Sequence, residues 1–205
     1  MFITLEGGEG CGKSTQAEAL YRRLRGKNLP VMLLHEPGGT ALGEEIGKRL
    51  KRKRENIAPQ AELFLFAASR AQLVAGVIQP ALKEGKLVIC DRFSHSTIAY
   101  QGYGRRLNPA AVKTINKLAA QNVTPDLIIL LDLPPEEGLA RRGKRLDRLE
   151  SESLPFHRRV RGGYLKMVAE EPARWLVIDA TLPKRKISQL IWKRVKELLV
   201  QKGEL

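Results

Sequence analysis

Cysteine is scarce. The 205 residues hold two, Cys11 and Cys90, too few to staple a small secreted scaffold, so a disulfide framework is excluded and a reducing, cytoplasmic setting is expected. Long apolar runs are missing as well. The longest in the second half, Leu127-Ile128-Ile129-Leu130-Leu131, falls far short of the roughly 20 residues that a membrane helix needs. The amino-terminal run is broken by Glu6, so neither secretion nor a membrane is expected. Aromatic side chains make up 5%. The basic run Lys48, Arg49, Lys51, Arg52, Lys53, Arg54 has none interleaved to stack on bases, which favours a solvated surface over a nucleic-acid groove. Acidic residues are also few, 22 against 36 Lys and Arg, for a net charge of +14. That balance suits a polyanion or a small anionic ligand such as a nucleotide.

What the chain does have is 43% hydrophobic residues, enough for one sizeable core and a single domain over residues 1–205. The run Phe2-Ile3-Thr4-Leu5 leads directly into Gly7-Gly8-Glu9-Gly10-Cys11-Gly12-Lys13-Ser14, which matches the phosphate-binding pattern GxxxxGK[ST] in the strand context that pattern requires. Glycines let backbone N–H groups turn inward around phosphate oxygens, and the helix opening at Lys13 adds its positive dipole end. Lys13 supplies a mobile charge, and Ser14 offers a hydroxyl to Mg²⁺. The segment from Gly7 to Thr15 is therefore the candidate ATP cradle.

Short apolar or β-branched runs alternate with stretches of helical period, the pattern of a parallel sheet covered by helices on both faces. Strands are predicted at 2–6, 31–35, 87–91, 127–132 and 175–179, and helices at 13–26, 43–53, 59–84, 109–121, 135–142, 154–170 and 184–202. The fold class that follows is α/β, with five parallel strands and a P-loop NTPase architecture. Residues 141–153, charged and nearly free of apolar side chains, are predicted to form a solvent-exposed lid. In such sheets ligands sit beyond the carboxyl ends of the strands. Asp91 ends a strand there, in the position of a Walker-B carboxylate, and is the candidate second Mg²⁺ ligand, with Arg92 beside it. Asp132 and Asp179 fit turn or capping roles.

The helix after Pro59 places Arg70 within an apolar stripe that includes Leu63, Phe66, Leu73 and Val77. A buried guanidinium needs a polar partner. Phe66 and Arg70 share a face four residues apart, so they fit either a base-binding pair or a core phenylalanine beside a salt-bridged arginine.

These segments together resemble the bacterial thymidylate kinases. The likeness rests on Leu5-Glu6-Gly7 through Thr15, Glu36-Pro37-Gly38-Gly39-Thr40, Phe64 to Gln72, Asp91-Arg92-Phe93 with Ser96 to Gly102, and Asp147-Arg148. The resemblance implies transfer of the γ-phosphoryl of ATP to dTMP in dTTP biosynthesis, a Mg²⁺ requirement and a homodimer. It implies that Glu9 binds the acceptor sugar and phosphate region, Phe66 stacks on thymine, and Arg70 bonds the base. Arg92 and Asp91 would serve phosphates and metal, with Thr97, Tyr100 and Gln101 completing the acceptor pocket. Family members with no basic residue inside the phosphate loop supply arginines from the lid. Gly10 puts this chain with them, making Arg141, Arg142, Arg145 and Arg148 catalytic candidates beside Lys13 and Arg92.

One position departs from the family pattern. An arginine usually stands seven residues after the threonine of Glu-Pro-Gly-Gly-Thr, and here Gly47 stands there. The expectation is that Arg70 and Arg92 carry the acceptor phosphate and that Gly47→Arg tightens dTMP binding. Another nucleoside monophosphate or deoxynucleoside kinase remains an alternative, as does a nucleic-acid-binding ATPase, for which the net charge is the one support.

Overall fold

The structure is a computed structural model that describes residues 1–53, 55–143 and 146–205. Five strands, β1 (Phe2–Glu6), β2 (Val31–His35), β3 (Leu87–Asp91), β4 (Leu127–Asp132) and β5 (Trp175–Asp179), form one all-parallel sheet in the order β2-β3-β1-β4-β5. Each spans the residues expected from the apolar runs.

The period-two alternation of a strand explains why these runs are apolar throughout. Ile3 and Leu5 of β1, Leu87 and Ile89 of β3, and Leu127, Ile129 and Leu131 of β4 turn to one face. There they pack on α1 (Lys13–Arg25) and α9 (Lys184–Gln201). Phe2, Val88 and Cys90 turn to the opposite face, under α3 (Pro59–Leu73) and its extension. Ile128 and Leu130 meet α8 (Leu154–Glu170) on that same side. In the central strands β3, β1 and β4 both faces are buried, so these show no polar stripe.

The remaining helices are α2 (Ala41–Lys51), α4 (Gln79–Lys83), α5 (Ser94–Thr97), α6 (Pro109–Ala119) and α7 (Pro135–Ala140). Thr40 caps α2 by accepting the Gly43 N–H, so this helix starts two residues earlier than its hydrophobic period suggested. The long helix expected from Pro59 is interrupted by a widened π turn at Val74–Ile78. Pro80, which has no N–H and whose ring crowds the preceding turn, accounts for the widening. By length and composition the stretch Pro59–Lys83 could cross a membrane, with a mean hydropathy of 1.5 over its most apolar window. Here it packs against β3 and α6 as a core helix and carries a buried ion pair. A second π segment, Ile98–Gly104, follows α5 and was not visible in the periodicity.

Candidate active site

A cleft of about 1210 Å³ opens beyond the carboxyl ends of the strands and is lined by the phosphate loop, Asp91, Arg92 and the α3 face that carries Phe66 and Arg70. Pockets for one small molecule usually measure about 300–1,000 Å³, so this one has room for two. The loop turns through left-handed residues, Gly10 at φ +66° and Gly12 at φ +90°, which a side chain would strain. Glu9 through Thr15 line the cleft; Gly7 and Gly8 do not, their carbonyls accepting from Arg92 and Lys13. Lys13 is 7% exposed and donates to the Gly8 carbonyl at 2.7 Å. Ser14 donates to Asp91 Oδ2 at 2.5 Å.

The other carboxylate oxygen of Asp91 is buried with no hydrogen-bond partner. A buried acceptor left open beside a hydroxyl is what a hard cation needs, so Ser14 and Asp91 fit Mg²⁺. No cluster of three or more His, Cys, Asp or Glu side chains is found among the described residues. The remaining ligands of a cation held here would therefore come from phosphate and water.

Arg92 ties the phosphate loop to the segment Ser96–Tyr100 across the cleft. It donates to the Gly7 carbonyl at 3.0 Å and to Glu9 at 2.9 Å on one side, and to Ser96 and the Tyr100 hydroxyl, both at 3.2 Å, on the other. Its backbone sits at φ +72°, a region that non-glycine residues seldom occupy and that accompanies functional constraint. Burial pushes the Glu9 carboxyl up, but the charges of Arg92 and Lys13 and a 2.5 Å hydrogen bond from Tyr100 outweigh it and hold the pKa at about 2. Glu9 therefore stands charged beside Arg92.

Glu6, at the end of β1, is fully buried and was not singled out from the sequence, although an acid closing an apolar strand was the available signal. Burial raises its pKa to about 7, against hydrogen bonds from Ser96, Phe93 N–H and Tyr164 and the charge of Arg92. A carboxyl raised from 4.5 to about 7 binds more protons in the folded state, so its contribution to stability is lost as pH rises through that window. Urea titrations at pH 5 and pH 7.5 should show Glu6→Gln gaining stability relative to the parent at the higher pH. An equal difference at both would mean that Glu6 does not titrate there.

Arg70 is 1% exposed and its guanidinium is largely taken up by protein. Glu36 accepts from Nε and Nη2, and Thr97 and Asn116 accept from Nη1 at 3.0 and 2.6 Å. This corrects the expectation that Arg70 shares the acceptor phosphate, because the fork is committed to the Glu36 carboxylate. Phe66 is half-buried on the cleft wall, with Thr97, Tyr100 and Gln101 beside it.

Comparison with known proteins agrees with this geometry. A family model described as thymidylate kinase matches residues 5–191. The chain belongs to the thymidylate kinase family. It is 53% identical over 201 residues to a thymidylate kinase of Dehalococcoides mccartyi, with 97% of each chain covered. It is 46% identical over 200 residues to one of Trichlorobacter lovleyi, covering 93% of this chain and 94% of that one. The crystal structure of thymidylate kinase from Ehrlichia chaffeensis superposes with a TM-score of 0.79 at 33% identity, covering 95% of this chain and 98% of that one.

Within this family member the lid arginines separate. Arg141 and Arg142 line the cleft, the first donating to the Ala180 carbonyl at 3.0 Å and the second paired with Glu150. Arg148 does not line it. Its side chain is 10% exposed, turned to Glu62 at 2.6 Å and to the Leu50 carbonyl at 3.1 Å. Arg148, one of the catalytic candidates, thus stands away from the cleft lining in this structure. Arg145 lies outside the described residues. The lid is also less solvated than its charge suggested, because Glu150 is 5% exposed and exchanges hydrogen bonds with Asp147. Asp132 is held by Arg161 at 2.7 and 2.8 Å, and Asp179 closes a turn onto Thr181.

The basic run that closes α2 faces solvent as expected, with Lys48, Arg49 and Lys51 all exposed and Lys51 also lining the cleft. Gly47 is buried, and a Cβ there would stand 3.1 Å from the Pro37 carbonyl oxygen. Gly47→Arg therefore needs the Pro37 loop, which also holds Glu36 against Arg70, to give by a few tenths of an ångström.

Proposed function

We infer that this chain transfers the γ-phosphoryl of ATP to dTMP, giving ADP and dTDP. The observation that carries the reading is Arg92, bonded at once to the phosphate loop and to the acceptor wall within one cleft. ATP lies with its β- and γ-phosphates on the backbone of the loop and on Lys13. Glu9 holds Arg92 in place, and Arg92 neutralises the acceptor phosphate. Phe66 stacks on thymine, Gln101 bonds the base edge beside an Arg70 held by Glu36, and Tyr100 stands near the sugar 2′ carbon, where a ribose hydroxyl is crowded. Ser14 and Asp91 hold Mg²⁺, which when bound neutralises charge on the transferring phosphoryl. Transfer is direct and in line, with no covalent enzyme intermediate. Arg141 and Arg142, already at the cleft, are the lid groups favoured to stabilise negative charge on the transferring oxygens.

The exposed apolar side chains Phe64 on α3 and Leu118 on α6 support a homodimer. The cytoplasm is the fitting compartment for two free, buried thiols. The test is ADP formation with dTMP, dUMP, dCMP and the ribose form of TMP. A strong preference for dTMP over all three is expected, and equal rates with dCMP would remove the thymidylate reading.

A further inference from the structure

At the junction of α3, the π segment after α5 and the lid, Glu62 is fully buried among three donors that the catalytic reading does not use together. Gln101 Nε2 donates to its Oε1 at 2.7 Å. Arg105 donates from Nε and Nη2 at 3.1 and 3.0 Å, and Arg148 lies 2.6 Å from its Oε2. Arg148 also crosses the carboxyl end of α2, with its backbone N–H on the Lys51 carbonyl and its Nε on that of Leu50. There it satisfies free end carbonyls and the negative end of the helix dipole. The two guanidiniums compensate the buried carboxylate.

A carboxylate of this kind only accepts hydrogen bonds, so the Gln101 amide must turn its NH₂ end toward Glu62. The end left to offer a ligand is Oε1, on a residue that lines the cleft. An acceptor presented to a pyrimidine edge matches a ring N3–H and opposes a ring N3 lone pair. We propose that Glu62 is a positioning residue for base selection: by fixing the orientation of the Gln101 amide it makes the acceptor site favour a 4-oxo pyrimidine nucleotide over a 4-amino one. The proposal rests on the reading of Gln101 as a base contact.

The experiment compares kcat/KM for dTMP and for 5-methyl-dCMP, which keeps the methyl group and differs only at the 4-substituent and N3. The variants are Gln101→Ala, Glu62→Gln, Glu62→Asp and Arg105→Met. Glu62→Asp keeps the charge that the arginines need but draws the carboxylate back from Gln101, so the selectivity ratio should fall about tenfold. Glu62→Gln frees the amide to flip and should raise activity on 5-methyl-dCMP itself. Arg105→Met, with a comparable thermal destabilisation, should leave the ratio within twofold of the parent. If Gln101→Ala lowers the ratio but folded Glu62→Asp does not, the proposal is wrong, whether or not Glu62→Gln folds. If Gln101→Ala itself leaves the ratio unchanged, Gln101 does not read the base and the proposal falls with it.

Discussion

Lys13→Ala should reduce kcat by roughly 10³-fold while leaving the cooperative unfolding transition in place. Removing one preorganised donor from a dry site costs on the order of 10²–10³ in rate, and here the group is also a full charge at the phosphates. Its contacts in the structure are weakly structural. Nζ reaches the Gly8 carbonyl at 2.7 Å and Cys11 Sγ at 3.5 Å, and both are loop groups that the alanine variant leaves in place. Steady-state rates together with thermal melts separate the two effects. A folded variant with near-parental turnover would show that Lys13 is not at the phosphates.

Gly10→Arg should be more damaging than its position on a loop suggests. Arginine at that position would place a basic residue inside the phosphate loop, as some family members do. In this chain, however, Gly10 sits at φ +66° and a Cβ would fall on the Gly138 carbonyl at the foot of the lid. The reciprocal contact is equally tight, since a Cβ on Gly138 would fall on the Glu9 carbonyl. The left-handed backbone alone costs a side chain about 1–2 kcal/mol. Relieving the collision must also move either the loop or α7, and a displacement of about 1 Å in a positioning element can cost 10²-fold in rate. We expect a lower melting temperature and at least that loss of kcat. Gly8→Ala, whose added Cβ meets nothing within 4 Å, should leave stability close to the parent. A stable, active Gly10→Arg enzyme would mean that the loop and lid foot are not locked together and that the arginine's origin is interchangeable.

That lock leaves no room for a basic side chain at position 10, which is consistent with the proposal that Arg141 and Arg142 supply the charge. The sequence showed a glycine where a basic residue could stand, and only the contact between Gly10 and Gly138, 128 positions apart, shows that nothing larger fits.

The five strands were legible to the residue because both faces of the sheet are covered, so each strand is a short apolar run closed by charge or turn chemistry. The phosphate loop was legible because its function depends on backbone freedom, which glycine writes directly into the sequence. Phe66 and Arg70 were legible as an anomaly on one helical face. Their partners were not, because a buried guanidinium states only that an anion is needed. Glu36, 34 residues away, was identified by the fold that brings the β2 end against α3. The partner of Arg148 was hidden for a related reason. Composition marks its charged segment as solvated, but Glu62 of α3 draws that guanidinium out of water. The sequence by itself determined the parallel sheet, the phosphate cradle and the family, since each rests on local periodicity or on fixed short spacing. Tertiary structure alone decided which arginines face the cleft, where Gln101 turns its amide and what Gly10 excludes. Those are matters of distance between residues far apart in the chain, and one-dimensional order carries no measure of that distance.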